Sequence, residues 1–284
     1  VDNKHMGPLI STVMTRCIHC TRCVRFATEV AGVPELGAIG RGESMEITTY
    51  LEKTLASELS ANVIDLCPVG ALTSRPYAFA ARPWELNKVE TIDVMDALGS
   101  NIRVDARGAQ VMRVLPRLNE DINEEWISDK TRYAIDGLRR QRLDKPYARG
   151  RDGRLHPVSW DEALKSLASA LRKAKPNMIG AIAGNQADAE SLYALKSLMT
   201  RLGSPNLDCR QDGAKIGGNR AGYLFNSTIA GIDDADAVLI IGSNPRIEAA
   251  VLNARIRRNW LSSRMPVGVV GPKVDLTYDA DFLG

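Results

Sequence analysis

Long apolar runs are absent from this sequence. The most apolar stretches, DAVLIIG (236–242) and PVGVVG (266–271), fall well short of the ~18 residues of a membrane-spanning helix and read as buried strands. An excess of one charge is absent too. Lys and Arg number 37 against 34 Asp and Glu, a net charge of +3, and no like-charged run exceeds a few residues. Nothing in that balance supports binding to nucleic acid or to a membrane surface. There is no internal repeat and no low-complexity segment. Cysteine is scarce: five in 284 residues, four of them in the first 67. Cysteines two residues apart are poor disulfide partners, and stapled secreted scaffolds are usually much smaller, so a reducing compartment is expected. The chain opens on Val1 and stops at Gly284 as though cut at both ends, so a missing targeting signal has no weight. What is left is an ordinary globular composition, 44% hydrophobic and 25% charged, long enough for two or three domains.

The cysteines that are present are concentrated. RCIHCTRCVRF (Arg16 to Phe26) places Cys17, Cys20 and Cys23 at C-x2-C-x2-C spacing, and Cys67 follows in DLCPVGAL. Iron–sulfur cubanes of the ferredoxin kind use such a loop, with a further Cys before Pro closing the site. One tight loop can wrap three thiolates around three irons; the fourth iron takes its ligand from elsewhere. Pro68 turns the chain away after Cys67. A structural zinc is the rival, but four-thiolate zinc normally draws two separate C-x2-C knuckles. With one other cysteine in the chain, a second cubane of this type is excluded. Arg16, Arg22 and Arg25 flank the loop, where positive charge would favour the reduced, more negative cluster; the alternative is that they are simply solvated. His19 is assigned no role. Leu51, Leu55, Leu59 and Val63 form one stripe of a predicted helix over 48–65 that delivers Cys67 at its end.

Three stretches are long enough to name a family: GPLISTVMTRCIHCTRCVRFATEVAG (7–32), DLCPVGALTSRPYAFAARPWE (65–85) and TIDVMDALGSNI (91–102). They resemble the largest peripheral-arm iron–sulfur subunit of the proton-pumping NADH:ubiquinone oxidoreductase (respiratory complex I), in its mitochondrial and alphaproteobacterial branch. The resemblance implies one [4Fe–4S] cluster on Cys17, Cys20, Cys23 and Cys67, passing electrons from the flavin toward quinone. It further implies a preceding ferredoxin-like domain with a [2Fe–2S] and a second [4Fe–4S] cluster. His5 has no cysteines spaced to join it and is not assigned to that site. The expected partners are other peripheral-arm subunits, including the one that binds flavin and NADH, with no nucleic acid and no membrane insertion. The expected place is the cytoplasmic face of a bacterial inner membrane or the matrix face of the mitochondrial one.

The expected fold has three parts: an α+β cluster-binding module (1–86), a small β-rich domain (87–143) and a partial α/β parallel-sheet domain (144–284). Residues 87–143 read as short alternating strands with a turn at Gly108. They resemble the small cluster-bearing domain of molybdopterin oxidoreductases. Asp93, Asp96, Ser100 and Ser128 fall at its four cysteine positions. Hard oxygen groups do not replace four thiolates on soft iron–sulfur, so this domain is expected to be a cluster-less scaffold.

From residue 144 helices and strands alternate. Ser159 and Glu162 make a capping box ahead of a helix striped by Trp160, Leu164, Leu167 and Leu171, and a strand follows in MIGAIAG. A second helix stops at Gly203, and DAVLIIGSNP and PVGVVGP flank the helix RIEAAVLNARIRRNW. That order implies a parallel sheet. The half resembles the molybdopterin oxidoreductases, but their metal-ligand position falls near Ala214, which cannot bind metal. Cys209 is expected to be a buried structural thiol. A molybdopterin enzyme such as a formate dehydrogenase is the alternative function, and it would need the metal ligand and the middle cluster that this sequence lacks. A zinc-holding structural subunit is a third reading.

Overall fold

A computed structural model of the chain describes residues 2–184, 186–210 and 217–284. They form two compact units, one of residues 1–136 with 225–284 and one of residues 137–224. The expected ligand position at Ala214 lies outside the described residues.

The first unit begins with β1 (Ile10–Thr12), a 3₁₀ turn, and α1 (Arg22–Arg25), which runs into a single π-type turn, Phe26–Val30. β2 (Leu36–Ile39) and β3 (Glu46–Thr49) pair antiparallel, with Leu36 opposite Thr49. The helix expected over 48–65 is mostly not formed. Thr48 and Thr49, β-branched and suited to a pleated strand, pair with β2. Leu51 then takes a left-handed backbone (φ 48°), and only α2 (Asn62–Leu66) is helical. Of the expected stripe, Leu59 and Val63 are buried, whereas Leu51 is 77% exposed. β4 (Leu72–Ser74) returns antiparallel to β1, with Ile10 opposite Ser74. Met6, Ile10, Met14, Phe26, Leu36, Ile47, Leu59, Val63 and Leu72 make the core around these elements.

β5 (Asn87–Ile92), β6 (Asn101–Arg107) and β7 (Gln110–Pro116) form an antiparallel sheet with β6 central. Gly108 makes the expected turn between β6 and β7 at φ 59°, a conformation that costs glycine little. α3 (Asp129–Tyr133) closes the segment, its amino end capped by the Ser128 hydroxyl, which accepts from the Thr131 N–H.

The second unit has a hairpin of β8 (Tyr147–Arg149) and β9 (Leu155–Pro157), then α4 (Trp160–Lys173). The Ser159 hydroxyl accepts from the Glu162 N–H at 3.2 Å, so the expected cap is formed on that side. β10 (Gly180–Ile182) runs parallel to β11 (Asn206–Asp208), with α5 (Ala189–Arg201) between them in sequence and Gly203 left-handed at its end. The α4 stripe is in place but not buried: Trp160, Leu164 and Leu167 are all exposed. A two-stranded sheet is too small to cover two helices.

The chain then completes the first unit with β12 (Val238–Ile241), α6 (Pro245–Glu248), α7 (Ala250–Ser263), β13 (Val267–Val270) and β14 (Asp281–Phe282). The three strands are parallel, in the order β12–β13–β14. The helix expected from Arg246 to Trp260 is broken at Ala249 (φ −151°) into α6 and α7. Ile240, Ile256, Val267 and Val269 make a second core beneath this sheet.

Candidate metal centre

The antiparallel β1–β4 pairing juxtaposes the two cysteine segments. It continues past the strands in a bond from the Val13 N–H to the Ala71 carbonyl (2.8 Å), so Met14–Cys17 runs alongside residues 67–71. Cys17 ends the 3₁₀ turn, donating its N–H to Met14 O at 3.0 Å. His19 and Thr21 both hold positive φ (53° and 58°), reversing the chain on either side of Cys20. Cys23 follows in α1, and Cys67 caps α2, donating its N–H to Val63 O at 3.1 Å.

All four thiols are half-buried and line one pocket of about 390 Å³, counted out to its open mouth. Met14, Ile18, Ile47, Val69 and Leu72 supply much of its apolar wall, and Arg22 reaches it from the loop. The His19 N–H donates to Cys17 Sγ at 3.4 Å, the kind of contact that stabilises charge on a thiolate. Burial pushes the Cys23 thiol up to about 11, against the Val24 N–H that pulls it down, and the charges of Cys17 and Cys20 raise it further. Thiolates crowded into an apolar pocket need a cationic partner to take the place of their protons. Four soft donors around an apolar pocket fit an iron–sulfur cluster. Among the described residues, no three His, Cys, Asp or Glu side chains are grouped so that a single metal ion could share them.

Arg16, Arg22 and Arg25 are exposed and make no ion pair among the described residues. Cys209 departs from expectation. It is exposed, directly after the short strand β11, and Asp208 Oδ1 accepts its N–H at 2.7 Å.

The four oxygen residues of the middle domain are all buried: Asp93 and Asp96 at 5% and 8% exposure, Ser100 and Ser128 at 0% and 3%. Thr131, which the sequence pattern does not single out, joins them. Its hydroxyl donates to Asp93 Oδ2 at 2.6 Å and lies 2.8 Å from the Ser128 hydroxyl. Burial raises the Asp96 carboxyl above its ordinary value, while the Leu98 N–H and the Ser128 hydroxyl pull it down. The Asp93 N–H donates to Ser100 O at 2.8 Å. Asp93, Thr131 and Ser128 thus form a hydrogen-bonded knot of oxygens, whereas the buried Ser100 hydroxyl has no hydrogen-bond partner among the described residues. Also unanticipated are the buried polar residues Asn62 and Arg132; the only sequence signal was their polarity within otherwise apolar stretches.

Comparison with known proteins places these features. The profile described as "NADH-quinone oxidoreductase subunit 3, ferredoxin-like domain" matches residues 7–73. "NADH-ubiquinone oxidoreductase NDSU1/NuoG-like, 4Fe-4S domain" matches 86–136, and "Molybdopterin oxidoreductase" matches 142–284. The whole chain is 57% identical over 285 residues to the mitochondrial NADH dehydrogenase (ubiquinone) iron-sulfur protein 1 of Solanum tuberosum. It is 58% identical over 294 residues to the mitochondrial NADH-ubiquinone oxidoreductase 78 kDa subunit of Neurospora crassa, and 58% identical over 289 residues to that of Candida albicans. The chain belongs to this complex I iron–sulfur subunit family. It spans 39%, 39% and 40% of the length of those three relatives. The carboxyl-terminal half of this family member also belongs with the molybdopterin oxidoreductases by profile. Among the described residues no helix is long and apolar enough to cross a membrane.

Proposed function

We propose that this chain is an electron-relay segment of NADH:ubiquinone oxidoreductase, holding one [4Fe–4S] cluster on Cys17, Cys20, Cys23 and Cys67. The observation that carries the reading is the convergence of all four thiols on one mostly apolar pocket. Bound there, a four-iron cluster supplies one-electron redox chemistry without any acid or base from the protein. The chain's own residues do the rest. The four sulfurs hold the cluster, and Met14, Ile18, Ile47 and Leu72 limit its exposure to water. The His19 N–H and the exposed cations Arg16, Arg22 and Arg25 favour the more negative, reduced state.

One one-electron centre has no substrate of its own, so the chain works within an assembly. Its partners are other peripheral-arm subunits, with the flavin- and NADH-binding subunit as the source of electrons. The arm lies on the matrix face of the mitochondrial inner membrane or the cytoplasmic face of a bacterial one. In this reading residues 1–86 form the cluster module, 87–143 a cluster-less β domain, and 144–284 part of a molybdopterin-oxidoreductase-like domain that works without its cofactor.

Replacing Cys67 with Ala tests the assignment. Most of the four-iron complement and the reduced-state EPR signal should disappear. Stoichiometric zinc in the unaltered protein, or full iron in the variant, refutes the reading.

A further inference from the structure

Three of the four thiols come from one tight loop; the fourth depends on α2, a helix of five residues. A helix this short is not stable by itself, so something else must set the direction of Cys67. The contacts that do so come from residues 127–132.

Asn62, with no exposed surface, clasps the backbone of Ile127 in both directions. Its Nδ2 donates to Ile127 O at 2.8 Å and its Oδ1 accepts from the Ile127 N–H at 3.2 Å. Asp129 holds the turn that enters α2: Oδ1 accepts from the Ala61 N–H at 2.8 Å and Oδ2 from the Ser60 hydroxyl at 2.6 Å. In return the Asp129 N–H donates to Glu58 O at 2.8 Å. One turn further on, the buried Arg132 guanidinium grips both carboxylate oxygens of Asp65, two residues before Cys67. On its other side the same segment is tied to the oxygen knot, through Ser128 at the amino end of α3 and Thr131 on Asp93.

We propose that residues 127–132 are a brace that positions the fourth thiol, with Asn62, Asp129 and Arg132 setting the pose of α2 and therefore the place of Cys67. The inference rests on the cluster assignment above. It gives the β5–β7 domain a present role, in which oxygen side chains at its former ligand positions anchor the element that orients a ligand of the neighbouring cluster. These are positioning residues, since none of them lines the pocket that the thiols share.

The test uses the full-length protein in its native assembly, with Asp129→Ala, Asp129→Asn and a control, Asp105→Ala. Asp105 is fully buried between Arg103 and Arg113 in the same domain and has no bond to the brace. Iron loss to a chelator and the EPR line shape of the reduced cluster are measured in each. Asp129→Ala removes two buried hydrogen bonds, and iron loss should quicken about tenfold with a shifted or broadened spectrum. Asp129→Asn keeps an acceptor for the Ala61 N–H and should restore both readouts to within about twofold. Asp105→Ala should lower the unfolding temperature and leave the spectrum alone. If Asp129→Ala does not assemble, Ser60→Ala, which removes one of the two bonds, should show the same change at about threefold. A wild-type spectrum and chelator half-life in Asp129→Ala, or in Ser60→Ala, overturns the brace. An equal spectral change in Asp105→Ala does so too. Cys67→Ala separates the two claims. Full iron there overturns the cluster assignment and this inference together, whereas iron loss there beside an unaffected Asp129→Ala overturns the brace alone.

Discussion

Replacing Asn62 with Ala is the sharpest stability test of this arrangement, because the side chain has no exposed surface and its hydrogen bonds run to backbone groups. Its Nδ2 donates to Leu59 O (2.9 Å) and Ile127 O (2.8 Å), and its Oδ1 accepts from the Ile127 N–H (3.2 Å). Truncation leaves those three backbone groups without this partner in a region closed to water. At ~1 kcal/mol for each unmade bond the loss is ~3 kcal/mol, the lower end of what buried unsatisfied groups cost. The space vacated by the amide adds ~1 kcal/mol. The sum of ~4 kcal/mol is a large part of the 5–15 kcal/mol that holds a typical domain folded. The assay is amide hydrogen exchange at Ile127, whose N–H is bonded to this side chain. Its protection should fall roughly a thousandfold, since each factor of ten corresponds to about 1.4 kcal/mol. Protection that stays within about tenfold of the unaltered protein would falsify the view that Asn62 clasps the two segments.

Arg22→Glu should lower the midpoint potential of the cluster in a redox titration, with iron content unchanged, because an exposed cation lining the pocket becomes an anion. An unchanged potential would show that solvent screens this position completely. Asp93→Ala and Ser128→Ala should each leave the iron content as it is; loss of a second four-iron complement in either would show that the oxygen knot binds metal. Stability should also depend on pH through Asp129. Burial pushes its carboxyl up to about 6, against the Ser60 hydroxyl and Ala61 N–H that pull it down, so the folded chain binds this proton more tightly than the unfolded chain. Its contribution is then complete below the ordinary carboxylate value of 3.8 and is lost as the pH rises to about 6, a change of ~3 kcal/mol. Asp129→Asn should flatten that slope in denaturant titrations from pH 4 to 7, and an equal slope in both proteins would place the titration elsewhere.

The candidate centre was legible in the amino-acid order alone, because the spacing of its thiols is a local property. Cys17, Cys20 and Cys23 lie within seven residues, and a loop that tight has few ways to present its sulfurs. Cap and turn signals were legible for the same reason: Ser159 ahead of α4 and Gly108 between β6 and β7 act on their immediate neighbours. The stripe from Leu51 to Val63 misled, since helical periodicity cannot reveal that Thr48 and Thr49 are taken by a strand partner at Gly37 and Leu36. Cys209 misled likewise, because burial depends on what packs over a residue and nothing in the chain near it states that. What brings Cys67 to the loop is the β1–β4 pairing across some sixty residues, and what aims it is a set of bonds from Asn62 to Ile127 and from Arg132 to Asp65. Those partners are 65 and 67 residues apart in sequence. A side chain's type can be read along the chain, but its partner is decided only when folding brings distant segments within the 3 Å or so of a hydrogen bond.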